Sequence, residues 1–451
     1  MGDVAALLAK YYPRSGAELC LGDGVPISEI AAEQGSPLFV YDRTVVDQKL
    51  SQLRGALPDR FAISYSVKAN PNGTILRHFL ERGCGLEIAS AGEYVQAREA
   101  GCPAERIVFA GPGKTPTELE YVLARGIGEI HAESDLEIER IGAICRELRI
   151  RADIALRINP SEDAQGGAMR MGGKPAPFGI DEEGLDFAVT KALGESNVNL
   201  CGIHLFTGTQ ILDSAILLTQ YRKGLEIARR VAQRIGRPLR TLDFGGGLGV
   251  PYFSHEAELD LGGLREGLNA LMSEISLESV FAGTRLMVEP GRYLVAEAGV
   301  YITRITDIKV SRGRKYLILD GGMNHHLAAS GNLGQTIKRN YPLALLTKLQ
   351  DVPCEEVEVV GPLCTPLDVL GRSVKLPKAE AGDLLGIFQS GAYGRSASPL
   401  GFLSHAAPPE VWVDGTTVSV IRRRGQLRDY LSDQDSGENS KATALSTTIA
   451  P

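Results

Sequence analysis

Between residues 60 and 291, short continuous apolar runs alternate with stretches in which apolar positions recur every three or four residues. The runs read as strands at 61–67, 85–89, 106–110, 129–132, 152–158, 198–205, 241–244 and 284–288. Helix signals lie between them. Thr115-Pro116-Thr117-Glu118 joins an N-cap, a first-turn proline and a capping-box glutamate. Ser134-Asp135-Leu136-Glu137 has the same spacing, and Ile138, Ile141, Cys145 and Leu148 then form one apolar stripe. Eight strands alternating with helices predict an α/β fold, a (β/α)8 TIM-type barrel. A doubly wound open sheet is the alternative with the same alternation.

The texture changes after residue 295. The runs 300–310, 315–320, 356–360, 383–388 and 411–421 are strand-like with no long helices between them, which predicts a C-terminal all-β domain. Ahead of the barrel stand a helix-like stretch, 4–11, and an apolar stretch, 21–30. The expected organisation is an N-terminal segment (1–36) packing with the β domain, a barrel (37–295), the β domain (296–431), and a Ser/Thr/Asp-rich tail (432–451) expected to be disordered.

Composition narrows the function classes. The chain has 451 residues and a net charge of −7, without a basic block or stripe, so nucleic acid is an unexpected partner. The seven cysteines form no C-x-x-C pair, which argues against a zinc site or disulfide framework and for a reducing cytoplasm. No apolar run suits a membrane span, and the first residues lack the basic region of a signal peptide. The 52 glycines, against a usual share of roughly 7%, point to tight turns and close backbone approach to a ligand.

The candidate chemistry sits at strand ends. Lys68, in Tyr65-Ser66-Val67-Lys68-Ala69-Asn70, ends the first barrel strand, at the rim where barrels place active sites. A lysine there, among apolar residues, can have a lowered pKa and form a Schiff base; taken alone it reads first as a snorkelling surface lysine. Asp243-Phe244-Gly245-Gly246-Gly247-Leu248-Gly249 follows the seventh strand, where consecutive amides can converge on an anion, or simply make a turn. Val288-Glu289-Pro290-Gly291-Arg292 ends the eighth, offering a carboxylate for a protonated ring nitrogen and a guanidinium for phosphate, or else a surface ion pair. In the β domain Cys364 lies in a turn between Pro362 and Pro366, as a proton donor or a buried hydrophobe, and Tyr393 follows Gly391-Ala392.

In this order and at these positions, the motifs resemble the fold-type III decarboxylases that use pyridoxal 5'-phosphate, the diaminopimelate, ornithine and arginine decarboxylase family. The resemblance covers residues 20–430. It implies that Lys68 is the Schiff-base lysine, that Gly245, Gly246, Gly247, Arg292 and Tyr393 bind the cofactor phosphate, and that Glu289 pairs with the pyridine nitrogen. It further implies a homodimer with shared sites, Cys364 reaching in from the partner as proton donor, with Arg157 and Asp368 near the substrate.

The chain departs from the family in places. In Gly202-Ile203-His204-Leu205-Phe206-Thr207-Gly208-Thr209-Gln210, Phe206 stands where relatives stack a histidine on the ring, and Thr209 replaces a serine. His204 is on the same strand face as Phe206, to reach substrate or to stay in the barrel interior. Thr365 stands where diaminopimelate and ornithine enzymes place an acid that grips a distal ammonium. Losing that bond removes about 1.5–3 kcal/mol. The Gly/Met/Pro loop at 165–179, with Arg170 or Lys174 meeting an anionic group, also differs. These variants resemble the siderophore, exosortase-associated and carrier-bound glutamyl decarboxylases. They imply decarboxylation of an amino-acid-like substrate with a bulky or acidic appendage; meso-diaminopimelate is the second reading.

Overall fold

The structure is a computed structural model that describes residues 4–161, 169–170 (backbone), 175–206, 208–333, 335 and 337–434. Of the expected anion-meeting loop at 165–179, residues 165–168 and 171–174 lie outside the described residues, as do residues 435–451 of the expected disordered tail at 432–451.

Strand β1 (Leu38–Asp42) comes first in the chain among the strands of the two large sheets. The barrel continues as β2 (Phe61–Ser66), β3 (Gly85–Ile88), β4 (Ile107–Phe109), β5 (Glu129–Ala132), β6 (Ala152–Asn159), β7 (Val198–Leu205), β8 (Thr241–Asp243) and β9 (Arg285–Val288). Every neighbouring pair is parallel, and the ring closes where Val288 of β9 pairs with Ile63 of β2. The closed ring decides between the two expected folds: it is a TIM-type barrel. Parallel strands sheathed by helices are buried on both faces, which explains their unbroken apolar runs. Both residues of the Thr115 capping box make their bonds. At Ser134 only half forms: its hydroxyl caps Glu137 N, while the Glu137 carboxylate accepts from Glu133 N and pairs with Lys114.

The second sheet contains β10 (Gly299–Ser311), β11 (Arg314–Leu319), β12 (Leu343–Leu345), β13 (Glu355–Val360), β14 (Val369–Leu376), β15 (Leu384–Ile387), β16 (Glu410–Asp414) and β17 (Thr417–Arg422). The single run expected at 411–421 is a hairpin of β16 and β17, turning at Gly415 with φ of +60°. Strand β1 lies between β10 and β16 in this sheet. Residues 38–42 therefore belong to the second sheet and not to the barrel, contrary to the expected boundary at 37. The Leu38-Phe39-Val40-Tyr41 run is buried on both faces, a pattern that reads alike in a barrel or in the middle of a mixed sheet. The segment before it also rests on this sheet, through Leu19 N to Leu346 O and Asp23 N to Gly415 O. No helix among the described residues is long and apolar enough to cross a membrane.

Candidate active site

At the C-terminal rim of the barrel the strand ends enclose a cavity of about 370 Å³. Lys68, Glu87, Arg157, His204, Phe206, Thr209, Glu289, Arg292 and Tyr393 are among its walls. These residues are far apart in the chain; the parallel barrel brings their strand ends to one face.

Lys68 sits in the single turn Val67–Ala69 that ends β2. Its Nζ lies 3.0 Å from Glu87 Oε2 on β3, and Glu87 also accepts from Ser66 Oγ at 2.5 Å. Burial pulls the lysine down, but the Glu87 charge, with Tyr393 and Glu289, carries it above its ordinary value. The lowered value expected from sequence is not found, because a buried carboxylate stands beside the amine.

The turn after β8 begins with Gly245 and Gly247 at φ of +68° and +93°. A Cβ on Gly246 would come within 2.6 Å of the Glu289 carbonyl oxygen, so only glycine lets this turn lie against the end of β9. Arg292 follows on that end; its Nε is buried without a hydrogen-bond partner, and a second nitrogen donates to Tyr252 Oη at 3.2 Å. Tyr393 comes from the second sheet's side. Its backbone N donates to Ala69 O at 2.8 Å, which sets its ring 4.6 Å from the Arg292 guanidinium.

Glu289 is the hub of a buried network that the sequence showed only in part. His204 Nε2 lies 3.2 Å from Glu289 Oε2, and the His204 ring stacks on His131 at 4.3 Å. His131 in turn lies 3.3 Å from Glu129 and 3.9 Å from Asp243. Burial lowers His204 to about 4, so at neutral pH it faces Glu289 as an uncharged ring. Burial favours protonation of both acids. In Asp243 burial and the neighbouring Glu289 charge push the pKa well up; in Glu289 the two histidines and Lys68 overcome burial and hold it ionised. His204, expected to meet substrate or remain in the interior, is turned toward Glu289. His131 carried no sequence signal, since nothing in the spacing of a strand reveals which interior residues meet across a barrel.

Phe206 borders the cavity with Arg157 at 5.7 Å from its ring centre, and Phe178 holds the other side of that guanidinium at 5.2 Å. Glu133 fixes Arg157 at 2.6 Å. The backbone of Met169–Arg170 pairs antiparallel with Gly208–Thr209, so the departing loop starts beside Thr209. Tyr341, Leu333 and Ala328 complete the wall from beyond the barrel, and none was singled out from sequence.

Among the described residues, six expected ones are not in this wall: Gly245, Gly246 and Gly247, whose turn lies against the end of β9, and Cys364, Thr365 and Asp368. Cys364 is exposed. Thr365 Oγ1 accepts from Leu367 N at 3.3 Å within the same turn. Asp368, expected near substrate, is 2% exposed and accepts from Met323 N at 2.7 Å and Leu363 N at 2.9 Å. Its carboxylate shapes the cysteine turn, because two backbone amides claim its oxygens.

The site fits pyridoxal phosphate on its own geometry. Glu289 Oε1 is buried without a hydrogen-bond partner, ready to accept from a protonated ring nitrogen. Arg292 Nε is an unpartnered buried cationic donor beside the glycine turn, suited to phosphate.

The comparisons agree. Residues 43–296 match the family model of the pyridoxal-dependent decarboxylases, pyridoxal binding domain. The chain is 37% identical over 415 residues to the L-glutamyl-[BtrI acyl-carrier protein] decarboxylase of Niallia circulans, covering 91% of this chain and 96% of that one. It is 33% identical to the diaminopimelate decarboxylase of Zymomonas mobilis, covering 93% and 97%. A third relative is the 2-[(L-alanin-3-ylcarbamoyl)methyl]-2-hydroxybutanedioate decarboxylase of Staphylococcus aureus, 31% identical over 87% and 98%. Among solved structures, the diaminopimelate decarboxylase of M. jannaschii in complex with L-lysine superposes with a TM-score of 0.84 at 28% identity, covering 92% and 95%. The chain belongs to the pyridoxal-dependent decarboxylases.

Proposed function

We propose that this pyridoxal-dependent decarboxylase removes the α-carboxylate from an amino acid whose side-chain carboxyl is joined to a carrier protein or another bulky acidic group, a carrier-bound glutamyl residue being the leading case. One observation carries the reading. The only carboxylates in the described cavity wall are Glu87, which Lys68 engages, and Glu289, whose unpartnered oxygen is reserved for the ring nitrogen. Among the described wall residues no other acid is present to receive the distal ammonium of a diamino acid, and Thr365 offers none. The 37% identity to a carrier-bound glutamyl decarboxylase supports the same class.

Pyridoxal phosphate, when bound, supplies the electron sink for the breaking bond. The chain's residues do the rest. Lys68 would hold the cofactor through its amine, beside the Glu87 carboxylate. Glu289, kept ionised by its histidine network, keeps the ring nitrogen protonated. Arg292, Tyr393 and the glycine turn hold the phosphate. Arg157, locked by Glu133 between two phenyl rings, fixes the substrate's position. Cys364 stands exposed on its turn and outside its own chain's cavity, an arrangement suited to serving the cavity of a second copy; we assign it the returning proton in a homodimer.

The test is carbon dioxide release from a glutamyl thioester of an acyl carrier protein beside release from meso-diaminopimelate. Turnover of the thioester at least a hundredfold above diaminopimelate is expected. Lysine formation from diaminopimelate at the higher rate would overturn the reading.

A further inference from the structure

The stretches 251–255 and 338–341 turn two chemistries in two directions. Tyr252 and Tyr341 face the active site with ring centres 4.6 Å apart, Tyr341 lining the cavity and Tyr252 accepting from Arg292. Their chain neighbours Phe253, His255, Lys338 and Arg339, with Arg372, line a second pocket of about 270 Å³. Two of its cationic groups and the backbone of the third are held in place. Arg339 lies over the Phe253 ring at 5.5 Å and abuts His255, which stacks on the same ring at 6.1 Å. The Asn340 side chain clamps Arg372, donating to its carbonyl at 2.7 Å and accepting from its N at 2.9 Å. Lys338 Nζ donates to Asn332 Oδ1 at 2.5 Å.

Among the described residues no carboxylate lies within ion-pair distance of Lys338, Arg339 or Arg372. A second arginine-lined pocket shows the usual alternative: there Arg422 is paired with Glu410, and Arg423 with Asp429 at 2.9 Å. Lys338, Arg339 and Arg372 are exposed, so together they make a locally positive, solvent-facing pocket mouth that an anion can join. Arginine forks are suited to phosphate oxygens. The strip also leads to the reaction centre, since Asn332, which holds Lys338, precedes Leu333 at the exposed edge of the cofactor cavity.

We propose that this pocket binds the phosphodiester of the prosthetic arm on which an acyl carrier protein presents its aminoacyl group. The assignment rests on the carrier-bound reading above and names how such a substrate is gripped outside the cavity. Phosphate held by Arg339 and Arg372 leaves the rest of the arm to pass Leu333 and Tyr341 toward Lys68.

The experiment compares the wild-type holoenzyme with the Arg339→Gln/Arg372→Gln double variant on three glutamyl thioesters: on the carrier, on free phosphopantetheine, and on pantetheine without phosphate. The expected result is at least a tenfold loss of kcat/KM on the first two, through KM, with less than a twofold change on the third. Equal effects on all three, or none, overturn the assignment. So does a loss confined to the carrier, which would place an acidic protein surface there. If the wild type releases carbon dioxide from none of them, the carrier reading fails. Calorimetric titration with inorganic phosphate then decides the pocket alone: binding by wild type but not by the double variant sustains an anion site, and no binding by either removes it. Thermal melts show whether the variant is folded.

Discussion

Glu289 keeps its charge in full burial because three neighbours favour the ionised form: the polar rings of His204 and His131, and the charge of Lys68. Removing that charge leaves the shape of the site intact and weakens the electron sink. Glu289→Gln is expected to retain the visible absorption band of the bound cofactor while turnover falls at least a hundredfold, roughly the 2.7 kcal/mol lost with one well-placed charge-stabilising group. Turnover within threefold of wild type would remove the role. Lys68→Ala should lose the band altogether on reconstitution. Cys364→Ala should keep the band and lose product formation, whereas Cys354→Ala, at another exposed cysteine, should change neither; a fully active Cys364→Ala would cancel the proton-donor assignment. Lys68, Glu289, Arg292 and Tyr393 were legible because each occupies a short pattern at the end of an element. His131, Tyr252 and Tyr341 were not. His131 meets the site only through closure of the barrel, and the two tyrosines only through the packing of segments outside its strands.

At the scale of elements, the turn from Phe244 to Gly249 and the Thr115 helix start make opposite demands on sequence. The helix start is local: both capping-box bonds form as its four residues predict. Thr115→Ala should cost about 1 kcal/mol, read as a lower denaturation midpoint with unchanged activity. The glycine turn is local in appearance only. Its glycines were legible as a candidate anion cradle, but the backbone that enforces Gly246 is the Glu289 carbonyl on another strand end. Gly246→Ala should therefore lower both thermal stability and cofactor affinity, by about 1–3 kcal/mol from overpacking. Retained affinity, measured by cofactor titration of the apoenzyme, would show that the turn yields. Strands β12 and β14 escaped sequence reading for a related reason. Three residues at Leu343–Leu345 are too few for a period, and β14 is broken by exposed Arg372 and Ser373, the latter at φ of +46°.

Across the whole molecule, four of the seven histidines are buried and neutral: burial lowers His78 and His204 to about 4 and His325 and His326 to about 3. In the unfolded chain each titrates near 6.5. Between that value and the folded one the unfolded state binds more protons, so stability is present above pH 6.5 and is lost as pH falls toward 4 and below. Each histidine that follows this course contributes up to about 1.4 kcal/mol per pH unit in the window. The melting temperature should drop steeply from pH 6.5 to 4 and less steeply in His325→Gln, whose ring nitrogen bonds Tyr301 at 3.1 Å. A flat melting temperature across that range would show that the histidines titrate alike in both states. The barrel itself was legible because eight repeats of one pattern reinforce each other. The home of residues 38–42 was not, because their pairing partners, Gly299–Ile302 and Glu410–Val413, are too distant in the chain to leave a local trace.

That strand has a consequence for the order in which the protein is made. Strand β1 leaves the ribosome before any of the barrel, yet it pairs with β10, and with β16, whose last residue is Asp414. The barrel is complete once Val288 has emerged, so it can close while β1 still waits for neighbours. Domains generally fold as units during synthesis, and unpaired strands are exposed to aggregation meanwhile. A nascent chain stalled once Val288 has cleared the ribosome, and before residue 414 has, should therefore hold a protease-resistant barrel with a cleavable amino end. Protection of residues 38–42 should arrive only when the chain has passed residue 414.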